Sequence, residues 1–144
     1  ITHAIHTGSN KEGLELTIKA IDGTLDLDKI KYPSANITDN DREIIFTNLV
    51  DTDMLFGHRN NAEGYGKAIE EIDEYLEKIL PLIGEDDLLI ITADHGCDPT
   101  VPGTDHTREK VPVLIYSKSL PSKGNLGEIV GFDMIAQQVK NWLF

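Results

Sequence analysis

Two short apolar runs on either side of a long amphipathic segment constrain the fold of this chain more than any other feature. The runs EIIFTNLVDTD (43–53) and DLLIITAD (87–94) are near-continuously apolar, as is typical of strands buried on both faces. Between them, AEGYGKAIEEIDEYLEKILPLIG (62–84) places apolar residues at helical spacing, and Pro81 and Gly84 mark its end. Strand, helix and strand form a βαβ unit, which predicts two parallel strands joined by a right-handed crossover.

Three further segments complete the predicted architecture. KEGLELTIKAI (11–21) has the pattern of a short helix, with Ser9 or Asn10 as its N-cap. VPVLIYS (111–117) is predicted to be a third strand, and LGEIVGFDMIAQQVKNWLF (126–144) an amphipathic helix. The predicted fold class is therefore α/β, with part of a doubly wound, mostly parallel sheet and flanking helices.

Composition excludes several classes of partner. The net charge of −12 argues against binding to nucleic acid or to anionic lipid, because phosphate contacts need clustered Lys and Arg. No apolar run is long enough to span a bilayer, so no membrane association is expected. The single Cys97 excludes an internal disulfide framework and favours a reducing, cytoplasmic location. Because the sequence begins without Met or a signal-peptide pattern, we expect a fragment or a processed chain.

Acidic and imidazole side chains follow the predicted strands. In open parallel sheets, ligands bind outside the carboxyl ends of the strands. The first apolar run ends in Asp51 and Asp53, and the second runs into an Asp-His pair. Any one of these residues alone is more often a cap, a turn residue or a structural histidine. Together they predict a metal site, whose candidate ligands are Asp53, His58, Asp94, His95 and His106.

The types and number of these ligands indicate which ions could bind. Mixed carboxylate and imidazole ligands suit Mn²⁺, Zn²⁺ or Fe²⁺ better than Mg²⁺ or Ca²⁺, which prefer oxygen. Five ligands are too many for one tetrahedral ion that keeps an open position. Two neighbouring ions would use them, and that arrangement suits phosphoryl transfer.

Other polar residues carry weaker signals. His3 and His6 have an H-x-x-H spacing, which is more often a surface pair than a metal site. Asp51 is interpreted either as a residue that orients a metal-bound His or as a turn cap. Arg108 could contact a substrate phosphate or simply balance nearby acids, and charge balance is favoured for Lys110. Packing roles are predicted for Tyr65 and Trp142.

Two stretches carry a specific resemblance. ITADHGCDPTVPGTDHTREKVPVLIYS (91–117) and NLVDTDMLFGHRNNAEGYGKAIEEID (48–73) together resemble the carboxy-terminal half of the phosphopentomutase family. That family is part of the alkaline phosphatase superfamily of two-metal phosphoryl-transfer enzymes. The ADHG core is shared across the superfamily, whereas the PGTDHTRE continuation and the VDxDMLxGHR motif are the phosphopentomutase versions.

The resemblance implies an isomerase that interconverts the 1-phosphate and 5-phosphate of ribose or deoxyribose. Its expected cofactors are two Mn²⁺ ions, with a sugar bisphosphate as primer and pentose phosphates as substrates. Asp53, His58 and His106 match the ligands of one ion, and Asp94 and His95 match ligands of the other. Arg108 is the candidate for substrate binding.

The resemblance also implies what this sequence lacks. The family's nucleophilic Thr, which carries the phosphate, and its cap domain both belong to the amino-terminal portion. No catalytic residue is therefore assigned here, and residues 1–144 are expected to form the carboxy-terminal part of the metal-binding core domain, without the cap. The missing portion of the same protein is the expected partner, and the chain alone is expected to be inactive. Two alternatives remain: a non-catalytic fragment, and a cofactor-independent phosphoglycerate mutase-like or phosphatase member of the superfamily.

Overall fold

Helices and one small sheet make up the regular structure of the described residues, which are 1–30, 42–120 and 124–144 in this computed structural model. In chain order the elements are α1 (Asn10–Ile21), α2 (Ala62–Ile79), β1 (Leu89–Thr92), β2 (Val113–Tyr116) and α3 (Asp133–Leu143). Single 3₁₀ turns occupy Leu27–Lys29, Gly57–Arg59 and Leu80–Leu82, and a wider π-helical turn occupies Thr52–Phe56.

The first helix begins where its capping residues predict. The Ser9 side chain accepts a hydrogen bond from the backbone N–H of Glu12 at 3.2 Å, and Glu12 in turn accepts one from Gly8 N at 2.7 Å. The helix ends at a turn in which Gly23 has a φ of 75°, a conformation that glycine adopts without strain. The helix predicted over 11–21, with Ser9 as its N-cap, is confirmed.

The core lies between α1 and α2. Asn61 caps α2 by accepting a hydrogen bond from Gly64 N at 2.9 Å. The helix predicted over 62–84 is confirmed as far as Ile79, after which Pro81 lies in a single 3₁₀ turn. The apolar faces of the two helices bury Leu14, Tyr75, Ile79 and Ile83 against one another.

The two strands form an antiparallel pair. Leu89 lies opposite Tyr116 and Thr92 opposite Val113, so β1 and β2 run side by side over four residues each. The strands predicted at 87–94 and 111–117 are therefore confirmed in shorter form. The loop that joins them, residues 93–112, carries three of the five candidate metal ligands, Asp94, His95 and His106.

The parallel βαβ pairing was wrong, because residues 43–50 form no strand among the described residues. The segment contacts α1 through Thr47, whose hydroxyl lies 2.5 Å from that of Thr17, while Phe46 is 87% exposed. A strand buried on both faces needs neighbouring strands and covering layers, and the described residues provide neither here. The α/β class is unaffected, since helices flank a small sheet that forms part of such a core.

The last helix is shorter than predicted. The predicted span began at residue 126, but the helix begins at Asp133, because Gly127 and Gly131 both have positive φ values, 69° and 98°. Trp142 links this helix to the segment that precedes β1, because its Nε1 donates a hydrogen bond to the carbonyl oxygen of Asp86 at 2.7 Å. Within the described residues, no helix combines the length and hydropathy that a membrane span requires.

Candidate metal centre

Asp53, His58 and His106 form a cluster of potential metal ligands. One ligand atom from each lies within 4.8 Å of the other two. The two carboxylate oxygens of Asp53 face different rings: Oδ2 lies 3.2 Å from His58 Nε2, and Oδ1 lies 3.5 Å from His106 Nε2. The cluster therefore joins residues from two parts of the chain around one carboxylate.

The π-helical turn Thr52–Phe56 positions the first two members. The backbone N–H of Gly57 donates to the carbonyl oxygens of Asp53 and Thr52, which closes the wide turn and leads directly into the 3₁₀ turn at His58. A Cβ at Gly57 would overlap Cys97 Sγ, so glycine allows the turn to approach the 93–112 loop closely. Such wide turns are marginal in isolation and occur often at functional sites.

The 93–112 loop places His106 by closing on itself. Gly96 and Thr107 form an isolated antiparallel bridge, in which Thr107 N donates to Gly96 O at 3.2 Å. The Thr107 hydroxyl accepts a hydrogen bond from Asp98 N at 2.7 Å. A ring nitrogen of His58, Nδ1, contacts the carbonyl oxygen of Thr104, so the loop and the Asp53 turn are tied together beside the cluster.

The second predicted pair lies next to this cluster but outside it. His95 stacks on His106, with ring centroids 3.6 Å apart, and its Nε2 lies 3.6 Å from Asp94 Oδ1. The Asp94 side chain is 79% exposed. The structure thus brings Asp53, His58 and His106 together and places Asp94 and His95 as a neighbouring pair.

The Asp53 carboxylate lies in an electrostatically unusual position. Its Oδ1 atom is buried and accepts no hydrogen bond from the described residues. Burial raises the pKa of the neighbouring Cys97 thiol, and the negative charge of Asp53 raises it further. Burial likewise raises the pKa of Tyr65, with smaller contributions from Cys97 and Asp53. Cys97 is not part of the three-residue cluster, which consists of one carboxylate and two imidazoles.

The weaker candidates are not members of the cluster. Arg108 is exposed, and Lys110 forms an ion pair with Glu128, which agrees with the charge balance predicted for it. His3 contacts the hydroxyl of Thr2 at 3.1 Å rather than a metal-ligand group. The Asp51 carboxylate accepts a hydrogen bond from Asn10 N, in the first turn of α1, at 2.7 Å, which is a capping contact to that helix.

Sequence reasoning missed three residues that shape the site. Asn10 exchanges hydrogen bonds with Asp51, and Asn60 donates from Nδ2 to the carbonyl oxygen of Val101 at 2.7 Å. Asn60 also has a φ of 51°, a left-handed conformation that Asn tolerates better than most residues. The Asn-Asn pair at 60–61 was the one local signal for this turn. Tyr65, for which a packing role was predicted, lies close enough to Asp53 and Cys97 for both to raise its pKa.

Comparison with known proteins covers nearly the whole chain. Residues 12–143 match the family described as the metalloenzyme superfamily. Several similar proteins are named phosphopentomutase. That of Caldanaerobacter subterraneus subsp. tengcongensis is 52% identical over 127 residues, which are 88% of this chain and 28% of the relative. Those of Clostridium novyi and Acetivibrio thermocellus are 46% and 42% identical over 96% and 99% of this chain, or 32% and 33% of their own lengths. The chain thus spans about a third or less of each relative.

Proposed function

Because this chain belongs to the metalloenzyme superfamily, we propose that it forms the metal-binding part of a phosphopentomutase core. The observation that carries the proposal is the Asp53, His58 and His106 cluster, found within a chain that is similar to phosphopentomutases along most of its length. Carboxylate and imidazole ligands at this spacing suit a transition-metal ion.

The described residues fit a divalent cation. Asp53 Oδ1 is buried and accepts no hydrogen bond from the rest of the described chain, which is the state expected of an oxygen that pairs with a cation. The surrounding rings present Nε2 of His58 and His106 toward the same carboxylate, and neutral imidazole nitrogens are common metal ligands. The net charge of the chain is −12, and a bound cation would offset part of it.

The proposal assigns two ions, both Mn²⁺. Asp53, His58 and His106 would hold one, and Asp94 and His95 would contribute to the other. The stacking of His95 on His106 supports two adjacent sites, because it brings the two ligand sets into contact. When bound, the ions would supply the positive charge that neutralises a transferring phosphoryl group.

The proposed reaction interconverts the 1-phosphate and 5-phosphate of ribose or deoxyribose, which makes the enzyme an isomerase. A sugar bisphosphate would first phosphorylate the Thr. The phosphothreonine would then pass its phosphate to one end of the sugar, and the Thr would recover phosphate from the other end. The Thr and the cap domain would belong to a portion of the protein outside this sequence. The residues of this chain would therefore bind the metal ions and orient the substrate phosphate. Arg108, which is exposed and follows His106 by two residues in the sequence, would contact the substrate phosphate, and a cytoplasmic location stays a prediction.

A coupled assay on the full-length protein tests the proposal. Ribose 1-phosphate should be converted to ribose 5-phosphate in the presence of Mn²⁺ and a sugar bisphosphate, and a chelator should abolish the conversion. Substituting His106→Ala should abolish it as well, whereas His3→Ala should not, because His3 lies outside the cluster.

Substrate comparison separates this function from its alternatives. Turnover of 3-phosphoglycerate in place of ribose 1-phosphate would favour a phosphoglycerate mutase-like member of the superfamily. An intact, Mn²⁺-loaded protein that leaves both substrates unchanged would overturn the proposal. This chain assayed alone should be inactive in either case.

A further inference from the structure

Asn10 and Asp51 form a reciprocal pair that joins α1 to the turn carrying Asp53. Asn10 N donates to Asp51 Oδ2 at 2.7 Å, and Asp51 N donates to Asn10 Oδ1 at 3.0 Å. The two residues lie 41 positions apart in sequence, and Asn10 is only 3% exposed. The contact is therefore a buried tertiary link between two segments rather than a local turn.

The link lies next to the candidate metal site in the sequence, because only Thr52 separates Asp51 from Asp53. Asp51 immediately precedes the π-helical turn Thr52–Phe56, and no side-chain cap among the described residues holds the start of that turn. The acceptor of the Asp51 N–H is the side-chain amide oxygen of Asn10. Fixing the Asp51 backbone fixes the direction in which the turn starts, and Asp53 follows two residues later.

The composition of the pair favours a positioning role over simple helix capping. Ser9 already caps α1 through Glu12 N, so α1 does not need Asn10 for that purpose. The Asn10 amide nitrogen is buried without a hydrogen-bond partner in the described chain, which costs stability. A smaller or apolar residue would avoid that cost, but it would leave the Asp51 N–H unsatisfied and the turn free at its start.

From these contacts we infer that Asn10 is a positioning residue: acting through Asp51, it holds Asp53 in the geometry that binds the divalent ion. The inference rests on the proposed function, since it assigns Asn10 to the same metal centre. Residues that orient metal ligands without touching the ion commonly change metal affinity by about 10–100-fold when they are substituted.

The test compares Mn²⁺ affinity with stability in the full chain. Asn10→Ala removes the acceptor for Asp51 N, whereas Ser9→Ala removes the N-cap of the same helix and leaves the Asp51 link intact. Both substitutions should lower the metal-free melting temperature. Only Asn10→Ala should weaken Mn²⁺ binding, by about tenfold, as measured by titration with Mn²⁺ alone.

A second pair of variants makes the test independent of whether Asn10→Ala folds. Asp51→Asn keeps both hydrogen bonds of the pair and should bind Mn²⁺ nearly as the native protein does, whereas Asp51→Ala loses the one that Asn10 N donates, keeps the one that Asp51 N donates, and should bind Mn²⁺ more weakly than Asp51→Asn. Equal Mn²⁺ affinities in the Asn10→Ala and Ser9→Ala proteins, or in the two Asp51 variants, would overturn the inference. A native protein that binds no Mn²⁺ would instead overturn the proposed function, and the inference would fall with it.

Discussion

His95 stacks on His106, with the ring centroids 3.6 Å apart and the ring planes inclined by 17°. His106 also lies within 4.9 Å of the His58 ring, measured between centroids. His106 therefore links the Asp53 cluster, of which it is a member, to the Asp94–His95 pair. Stacked rings restrict each other's rotation, and such aromatic contacts contribute about 0.5–1.5 kcal/mol.

Substituting His106→Ala should have a larger effect on metal binding than any other single histidine change. It removes a candidate ligand of the cluster and the ring against which His95 packs. We expect Mn²⁺ affinity to fall by more than the roughly 10–100-fold typical of a residue that only supports a ligand. A titration with Mn²⁺ measures the change, and His3→Ala serves as the control, because it removes a histidine that lies outside the cluster. Equal affinities in the two variants would remove His106 from the site.

Substituting Asp53→Asn should change metal affinity and metal-free stability in opposite directions. The native carboxylate keeps Oδ1 buried without a hydrogen bond, whereas an amide could donate to His106 Nε2, 3.5 Å away. Urea unfolding in chelator should show a gain of about 1 kcal/mol, while Mn²⁺ binding is lost. Asp73→Asn removes the same charge from an exposed position on α2 and should change neither quantity. If Asp53→Asn lowered the stability and left Mn²⁺ binding unchanged, the carboxylate would be a structural group rather than a metal ligand.

The helices were predictable because their signals are local. Ser9 and Glu12 mark the start of α1, and the apolar face of α2 carries Tyr75 and Ile79 at helical spacing. The segment 43–50 has an equally strong apolar pattern, but a strand is defined by its neighbours, and here the neighbour is α1. The apolar pattern therefore predicted a buried strand, whereas most of this segment, including Ile44 and Phe46, is exposed among the described residues.

The candidate site was predictable where its residues lie close together in the sequence. Asp53 and His58 lie on consecutive turns, so their proximity follows from spacing alone. The exchange between Asn10 and Asp51 crosses 41 positions and involves side chains that also serve as ordinary caps, so no local pattern reveals it. The left-handed conformation of Asn60 was likewise not predictable from a local pattern, because its hydrogen-bond partner Val101 lies 41 positions away.

Substituting Gly96→Ala should destabilise the loop that carries His106. A Cβ at this position would lie 2.7 Å from two backbone atoms, Thr107 O in the Gly96–Thr107 bridge and Glu109 N just beyond it. Backbone atoms cannot move aside as a flexible side chain can, so we expect a loss of about 1–3 kcal/mol in urea unfolding. Gly66→Ala is the matched control, because its Cβ would meet nothing within 4 Å and lies in α2. That control should stabilise the protein by about 0.5–1 kcal/mol, and a similar gain at Gly96 would contradict the bridge.

Removing the Thr24 hydroxyl should raise the pKa of Asp22 at the end of α1. Hydrogen bonds from the Thr24 side chain and backbone N–H, at 2.5 and 2.9 Å, lower that pKa below 3.8, with a smaller contribution from Lys19. Because the folded pKa lies below the ordinary value, the stability from this turn is fully present above about pH 3.8 and is lost as the pH falls through the folded pKa. In Thr24→Val the pKa should move back toward 3.8, as followed by NMR titration of the carboxyl carbon, but only partly, since the backbone donor remains. Thr24→Ser keeps the hydroxyl and should titrate as the native protein does, so a shift in Ser equal to that in Val would show that the hydroxyl is not the cause.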